Sequence, residues 1–217
     1  MHNHSLFALL LIFMLSACSS DNSDETLSNL CIELADLKTT SSSTVVGCTL
    51  DDGTEAAFET PITLKWASKP DSAYRALIYY NKVEETGKIR PISASSVICV
   101  RPMKAEEVEW RDYRDPLDFV SAWMSKHGRY VNMCVSLKTG PQQNDKAHKM
   151  SAVCDSVRTT ADRHHSYYRL CHSQNGIPAY YGVEVYVSLD VSDIPKGDTV
   201  TVSMPTFNGM VSKQFVK

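Results

Sequence analysis

Tyr130-Val131-Asn132-Met133-Cys134-Val135-Ser136-Leu137 and Gly182-Val183-Glu184-Val185-Tyr186-Val187-Ser188-Leu189 decide the fold. In each, an apolar residue falls on every second position. Successive strand side chains point to opposite faces, so each stretch has one apolar face and reads as a β-strand. Further strands are predicted at Met150–Val157, Tyr167–Cys171, Asp198–Ser203 and Met210–Val216. Asp118–Met124 fits a helical turn or a strand. Many short strands at this spacing predict a β-sandwich over 118–217. Upstream, Glu106-Glu107-Val108-Glu109 and the run from Arg111 to Pro116 read as a charged connector, 104–117. Before it, Cys31–Leu37, Val45–Leu50, Thr63–Trp66, Tyr74–Tyr80 and Ser96–Val100 are short strands separated by turns, Asp51-Asp52-Gly53 among them. They predict a small barrel over 30–103. The fold class expected is therefore all-β, a barrel followed by a sandwich.

The N-terminus has a different character. Leu6–Leu15 is an unbroken apolar run, too short for the roughly 20 residues that span a bilayer as a helix. It has the length of a signal-peptide core and ends in Leu15-Ser16-Ala17-Cys18, which resembles a lipobox. Small residues at Ser16 and Ala17 let the extended backbone enter a signal peptidase, and Cys18 supplies the thiol that carries diacylglycerol. The expectation is a signal peptide at 1–17, a lipid anchor at Cys18 and a polar tether at 18–29, with the membrane as a partner through that anchor. The run Met1-His2-Asn3-His4-Ser5 lacks the Lys or Arg usual before such a core. Asp21, Asp24 and Glu25 resemble the acidic signal that sends lipoproteins to the outer face of the outer membrane in one large group of gut bacteria; an ordinary solvated linker is the alternative.

A formal net charge of −3 over 217 residues gives no electrostatic footprint for nucleic acid. With Cys18 assigned to lipid, Cys31, Cys48, Cys99, Cys134, Cys154 and Cys171 remain, an even number that permits disulfides in an exported chain. No CxxC occurs, so zinc-ribbon and thioredoxin readings have no support. Cys134 and Cys154 are symmetric about Asn144, so a hairpin in that register sets them opposite each other as a candidate disulfide. Buried free thiols are the alternative.

The order of local patterns resembles the NigD-like lipoprotein family. The likeness runs through Thr49–Gly53, Arg75–Tyr80, Asp115-Pro116, Trp123, Arg129–Met133, Lys146–Met150, His172–Gly176 and Val187–Val191. It implies an N-terminal OB-like barrel, a C-terminal Ig-like sandwich and no established catalytic residues. The family's name comes from a proposed role in bacteriocin immunity. Asp71-Ser72-Ala73, Asp155-Ser156-Val157 and Asp198-Thr199-Val200 resemble the short O-glycosylation sequon used by the same group of bacteria, making Ser72, Ser156 and Thr199 candidate sites.

No GxSxG, P-loop, HExxH or dinucleotide fingerprint occurs, so no catalytic, cofactor or metal residue is assigned. His164-His165 would point to opposite faces of a strand and reads as an exposed pair. Among the doublets Tyr79-Tyr80, Tyr167-Tyr168 and Tyr180-Tyr181, the last lies between Gly176, Pro178 and Gly182, in a loop, where binding residues concentrate. Tyr180 and Tyr181 are the candidate binding residues, for an envelope protein or a glycan. The function expected is a membrane-anchored, non-catalytic binding module of the envelope. The alternatives are a structural lipoprotein without a specific ligand and a hydrolase whose site the sequence does not reveal.

Overall fold

The structure is a computed structural model that describes residues 29–107, 115–141 and 146–217. The expected signal peptide, Cys18, the tether up to residue 28, and connector residues 108–114 lie outside the described residues.

The first unit is built from β1 (Leu30–Thr39), β2 (Val45–Leu50), β3 (Glu55–Ile62), β4 (Ala73–Val83) and β5 (Lys88–Ser96). They close in the order β1-β2-β3-β5-β4 as the expected barrel. Strand alternation explains its core. Ala76, Ile78 and Tyr80 of β4 point inward and meet Ala35 and Leu37 of β1, with Cys48, Phe58 and Ile89 around them. Each fully buried large side chain contributes about 1.5–3 kcal/mol relative to exposure. Residues 63–66, expected as a strand, instead begin as coil and end in a turn. Leu64 and Trp66 still pack on the barrel core, and Trp66 meets Tyr74 edge to face with ring centroids 5.9 Å apart.

The second unit is a sandwich of two sheets. One has the order β14-β13-β11-β10-β7, the other β6-β12-β9-β8. Its strands are β6 (Ile98–Val100), β7 (Pro102–Lys104), β8 (Asp118–Met124), β9 (Tyr130–Thr139), β10 (Lys149–Thr160), β11 (Arg163–Ser173), β12 (Tyr181–Asp190), β13 (Thr199–Thr206) and β14 (Gly209–Val216). Val131, Met133, Val135 and Leu137 of β9 point into the core with Val187 and Leu189 of β12, as the alternation requires.

Two expectations need correction. The sandwich begins near residue 98, inside the segment read as barrel. The short strand β6 adds in parallel to β12, and β7 adds in parallel to β10, so the chain stitches both sheets before the connector. Cys134 and Cys154 are not hairpin partners. β9 pairs with β8 and β12, whereas β10 pairs with β11 and β7, so β9 and β10 belong to different sheets. Cys134 stands opposite Tyr186 and Cys154 opposite Tyr168. Both are free thiols, as are Cys31, Cys48, Cys99 and Cys171.

Candidate functional site

The barrel and sandwich meet where alternation places polar side chains outside both cores. Opposite Ala76 and Ile78, β4 presents Arg75 on its outer face, paired across the sheet with Asp36 of β1. The sandwich's β6-β12-β9-β8 sheet presents Asn132 and Ser188, themselves a cross-strand pair, on the face turned away from its core. An isolated barrel would leave Arg75 in water. Covered by the sandwich, its side chain is only 2% exposed.

A buried guanidinium must satisfy its donors. Arg75 Nε donates to Ser188 Oγ at 3.0 Å, and Nη2 donates to Asn132 Oδ1 at 3.1 Å and to Asp51. Its Nη1 lies 3.4 Å from Asp36 Oδ1, and the guanidinium covers the Tyr130 ring at 4.1 Å. Ser188 donates to Asn132 Oδ1 at 2.8 Å, and Asn132 Nδ2 donates to Asp51 Oδ2 at 2.6 Å. Tyr130 donates its hydroxyl to Asp36 at 3.0 Å. Arg129 reaches Asp36 at 3.1 Å and Asp190 at 3.5 Å. The Asp51-Asp52-Gly53 turn closes the seam. Asp51 O accepts from His127 N at 2.9 Å, and Gly53 sits at φ +90°, where a Cβ would stand 2.7 Å from His127 Nδ1.

The charges balance closely. Burial raises the Asp51 carboxyl above its ordinary value even though Arg75 and Asn132 oppose the shift. Burial also pulls Asp190 upward, but Ser192 and the arginines 129 and 101 outweigh it and hold the carboxyl below the usual range. Burial and the Asp36 charge push Tyr130 far above the usual phenol range, so it remains a hydrogen-bond donor. Because these groups are engaged with one another across the seam, the arrangement latches the barrel to the sandwich. A recess of about 220 Å³ opens beside it, with Lys38, Thr49, Glu55 and Ser125 at its walls.

A second cluster joins three segments of the sandwich. His172 Nδ1 lies 3.1 Å from the Asp115 carbonyl, which can only accept, so this nitrogen carries the proton. His172 Nε2 must then accept from His148 Nδ1 at 2.9 Å. Gln174 N donates to Asp115 Oδ2 at 2.6 Å, and Asn175 Nδ2 donates to Ala147 O at 3.0 Å. Burial lowers the pKa of both histidines.

The residues singled out by sequence are dispersed. Tyr180 and Tyr181 are 76% and 54% exposed at the start of β12, away from the latch at the other end of that strand. Ser156 is exposed at the β10 irregularity, whereas Ser72 is half-buried with its hydroxyl donating to Pro70 O, and Thr199 is half-buried in β13. Burial raises the thiol pKa of Cys134 and Cys154, aided by Glu184 and Asp155 respectively, which favours the protonated form of each. His164 and His165 lie on β11 beside Thr159 and Thr201. Sequence reading missed the latch. Its available signal was polar Arg75, Asn132 and Ser188 set within apolar alternation.

The model of the NigD-like C-terminal β-sandwich domain matches residues 101–216. The chain belongs to the NigD-like family. The latch is thus built from residues that carried the family likeness, Asp51, Arg75, Arg129, Tyr130, Asn132, Ser188 and Asp190, together with Asp36. Solved structures share the fold of this NigD-like protein. A NigD-like immunity protein from Bacteroides caccae is 20% identical, with a TM-score of 0.60 over 86% of this chain and 96% of that one. A protein assigned as toxin related from Parabacteroides distasonis is 16% identical, with a TM-score of 0.65 over 87% and 93%. A predicted lipoprotein from Bacteroides fragilis is 14% identical, with a TM-score of 0.56 over 86% and 96%. No curated protein sequence matches the chain significantly.

Proposed function

We propose that this NigD-like protein is a lipid-anchored component of the cell envelope that works by binding rather than by catalysis. The observation that carries this reading is the use of the latch groups. Arg75, Asp36, Asp51, Asn132 and Ser188 spend their hydrogen bonds on one another, while Tyr180 and Tyr181 stand free on the surface. Rigid aromatic side chains supply contact area at low entropy cost, which suits an envelope protein or a glycan as partner. Anchorage rests on Cys18, with two or three acyl chains holding the protein on the outer membrane. The fold shared with the predicted lipoprotein of Bacteroides fragilis and the immunity protein of Bacteroides caccae is compatible with an envelope role.

Palmitate labelling and membrane fractionation in the native host test the anchor. Wild type should label and float with outer membranes, and Cys18→Ala should do neither. Equal labelling of the variant removes the anchor from the proposal. Crosslinking in intact cells tests the binding role. Tyr180→Ala/Tyr181→Ala should lose adducts that the wild type forms, and an unchanged adduct pattern counts against this loop.

A further inference from the structure

Beside the latch, on the other flank of Arg129, lies a recess of about 360 Å³ lined by His127, Arg129, Ser192, Ile194, Lys196 and Lys217. Four of these side chains are basic and none is acidic; the carboxylate in the lining is the main-chain group of Lys217, which is turned to Gly197 N. Lys217 is firmly placed. Its backbone N donates to Asp198 O at 3.0 Å and its main-chain oxygen accepts from Gly197 N at 2.7 Å. Its ammonium donates to Val191 O at 2.8 Å and Ser192 O at 2.9 Å, leaving one of three N–H groups for a further acceptor. A Cβ on Gly128 would stand 3.4 Å from Lys217 Cγ, so the lysine stem lies against the turn that carries His127 and Arg129.

The nearby acidic groups do not fill the recess. Asp190 is engaged by Arg129, Arg101 and Ser192 N, and Asp36 by Arg75, Arg129 and Tyr130. Asp193 is close enough to favour the charged form of Lys217, but it is not part of the recess wall. Burial, with a smaller push from Lys196, outweighs both aspartates and lowers the Lys217 pKa. Arg129 Nε is buried without a hydrogen-bond partner among the described residues.

We propose that this recess is an anion site for a phosphate group, held by Lys196 and Lys217 with His127 at the rim. Ammonium groups act as compact point charges, and a phosphate group, with a charge of about −1.5 to −2 and three acceptor oxygens, draws two of them more strongly than a singly charged carboxylate does. The site names a ligand class for the binding role proposed above, but its test does not depend on the lipid anchor.

The full-length chain in detergent is titrated calorimetrically with sodium phosphate at constant ionic strength. Sodium acetate and phosphatidylglycerol vesicles form parallel arms. Saturable phosphate binding is expected, weakened about tenfold by Lys196→Ala, the effect of one charge-assisted hydrogen bond. Lys213→Ala, on β14 away from the recess, should bind as wild type does. Vesicle binding that shares the Lys196 dependence identifies a lipid headgroup as a source of the phosphate. Vesicle binding without that dependence leaves free or soluble phosphate esters as the ligand. No saturable phosphate heat, an affinity unchanged in Lys196→Ala, or equal affinity for acetate would overturn the site. Each can occur while Cys18-dependent fractionation stays intact, so failure here is distinct from failure of the anchor.

Discussion

Replacing Arg75 with methionine keeps an unbranched apolar stem but removes the guanidinium that ties barrel to sandwich. Asp36 would retain Arg129 and Tyr130, and Asp51 would retain Asn132, so the carboxylate of Asp51 is left worse paired than Asp36. Ser188 and Asn132 would each lose one donor as well. Breaking a buried ion pair from one side costs about 3–5 kcal/mol, because the remaining charge is stranded away from water. In a protein of this size each kcal/mol lowers Tm by about 2–4 °C, which gives a fall of about 6–20 °C. The contrast is Lys38–Glu55, whose side chains are 57% and 65% exposed, where removal should cost about 0–1 kcal/mol. Thermal unfolding followed by tryptophan fluorescence checks the magnitude, with Trp66 in the barrel and Trp123 in the sandwich contributing alongside Trp110. Adding Asp51→Leu to Arg75→Met removes the stranded charge and should recover part of the loss, a coupling that a double-mutant cycle isolates. A fall below about 1 kcal/mol for Arg75→Met would refute the latch, because it is the value of an exposed pair.

The neutral His148–His172 relay makes stability depend on pH. Both folded pKa values lie below the ordinary 6.5, so its contribution is present above about pH 6.5 and is lost as pH falls toward the folded values; urea melts of wild type and His148→Gln should converge on acidification. Non-reducing peptide mapping should recover Cys134 and Cys154 as alkylatable thiols after unfolding, and a Cys134–Cys154 crosslink would contradict the sheet assignment. Gly53→Ala should cost at least about 1 kcal/mol, since it combines a left-handed φ with a clash against His127, and a chemical melt matching wild type would show that the turn does not press on the sandwich.

The core faces were legible because alternation is local. Val131, Met133, Val135 and Leu137 need only their own strand to declare a buried side. The domain boundary was not legible, because β6 and β7 are each three residues long and owe their existence to β12 and β10, far along the chain. The β9–β10 connection misled for a related reason. A polar loop between two strands has the same composition whether it turns a hairpin or crosses a sandwich. The latch escaped because alternation assigns Arg75, Asn132 and Ser188 to an outer face, and outer ordinarily means solvent. Only the docking of one domain on the other turns that face into an interior.

The two ends of β12 lie in different surroundings. Ser188 and Asp190 at its C-terminal end enter the latch, and Asp190 pairs with Arg129 of the basic recess, whereas Tyr181 begins the strand. At about 3.3 Å per residue, the seven steps from Tyr181 to Ser188 separate the aromatic loop from the latch by about 23 Å. The aromatic loop has its own bracing. Tyr180 N donates to Thr139 O at 2.8 Å, and Gly140 lies so close to Pro178 and Tyr180 that a Cβ there would meet Pro178 O at 2.9 Å. A partner gripping the tyrosines therefore meets a surface held independently of the latch. The basic recess instead shares Arg129 with the latch, so its shape depends on the barrel staying docked. If the proposed sites hold, domain orientation couples to ligand binding only through the recess, and a partner on the exposed tyrosines leaves the buried charges unstrained.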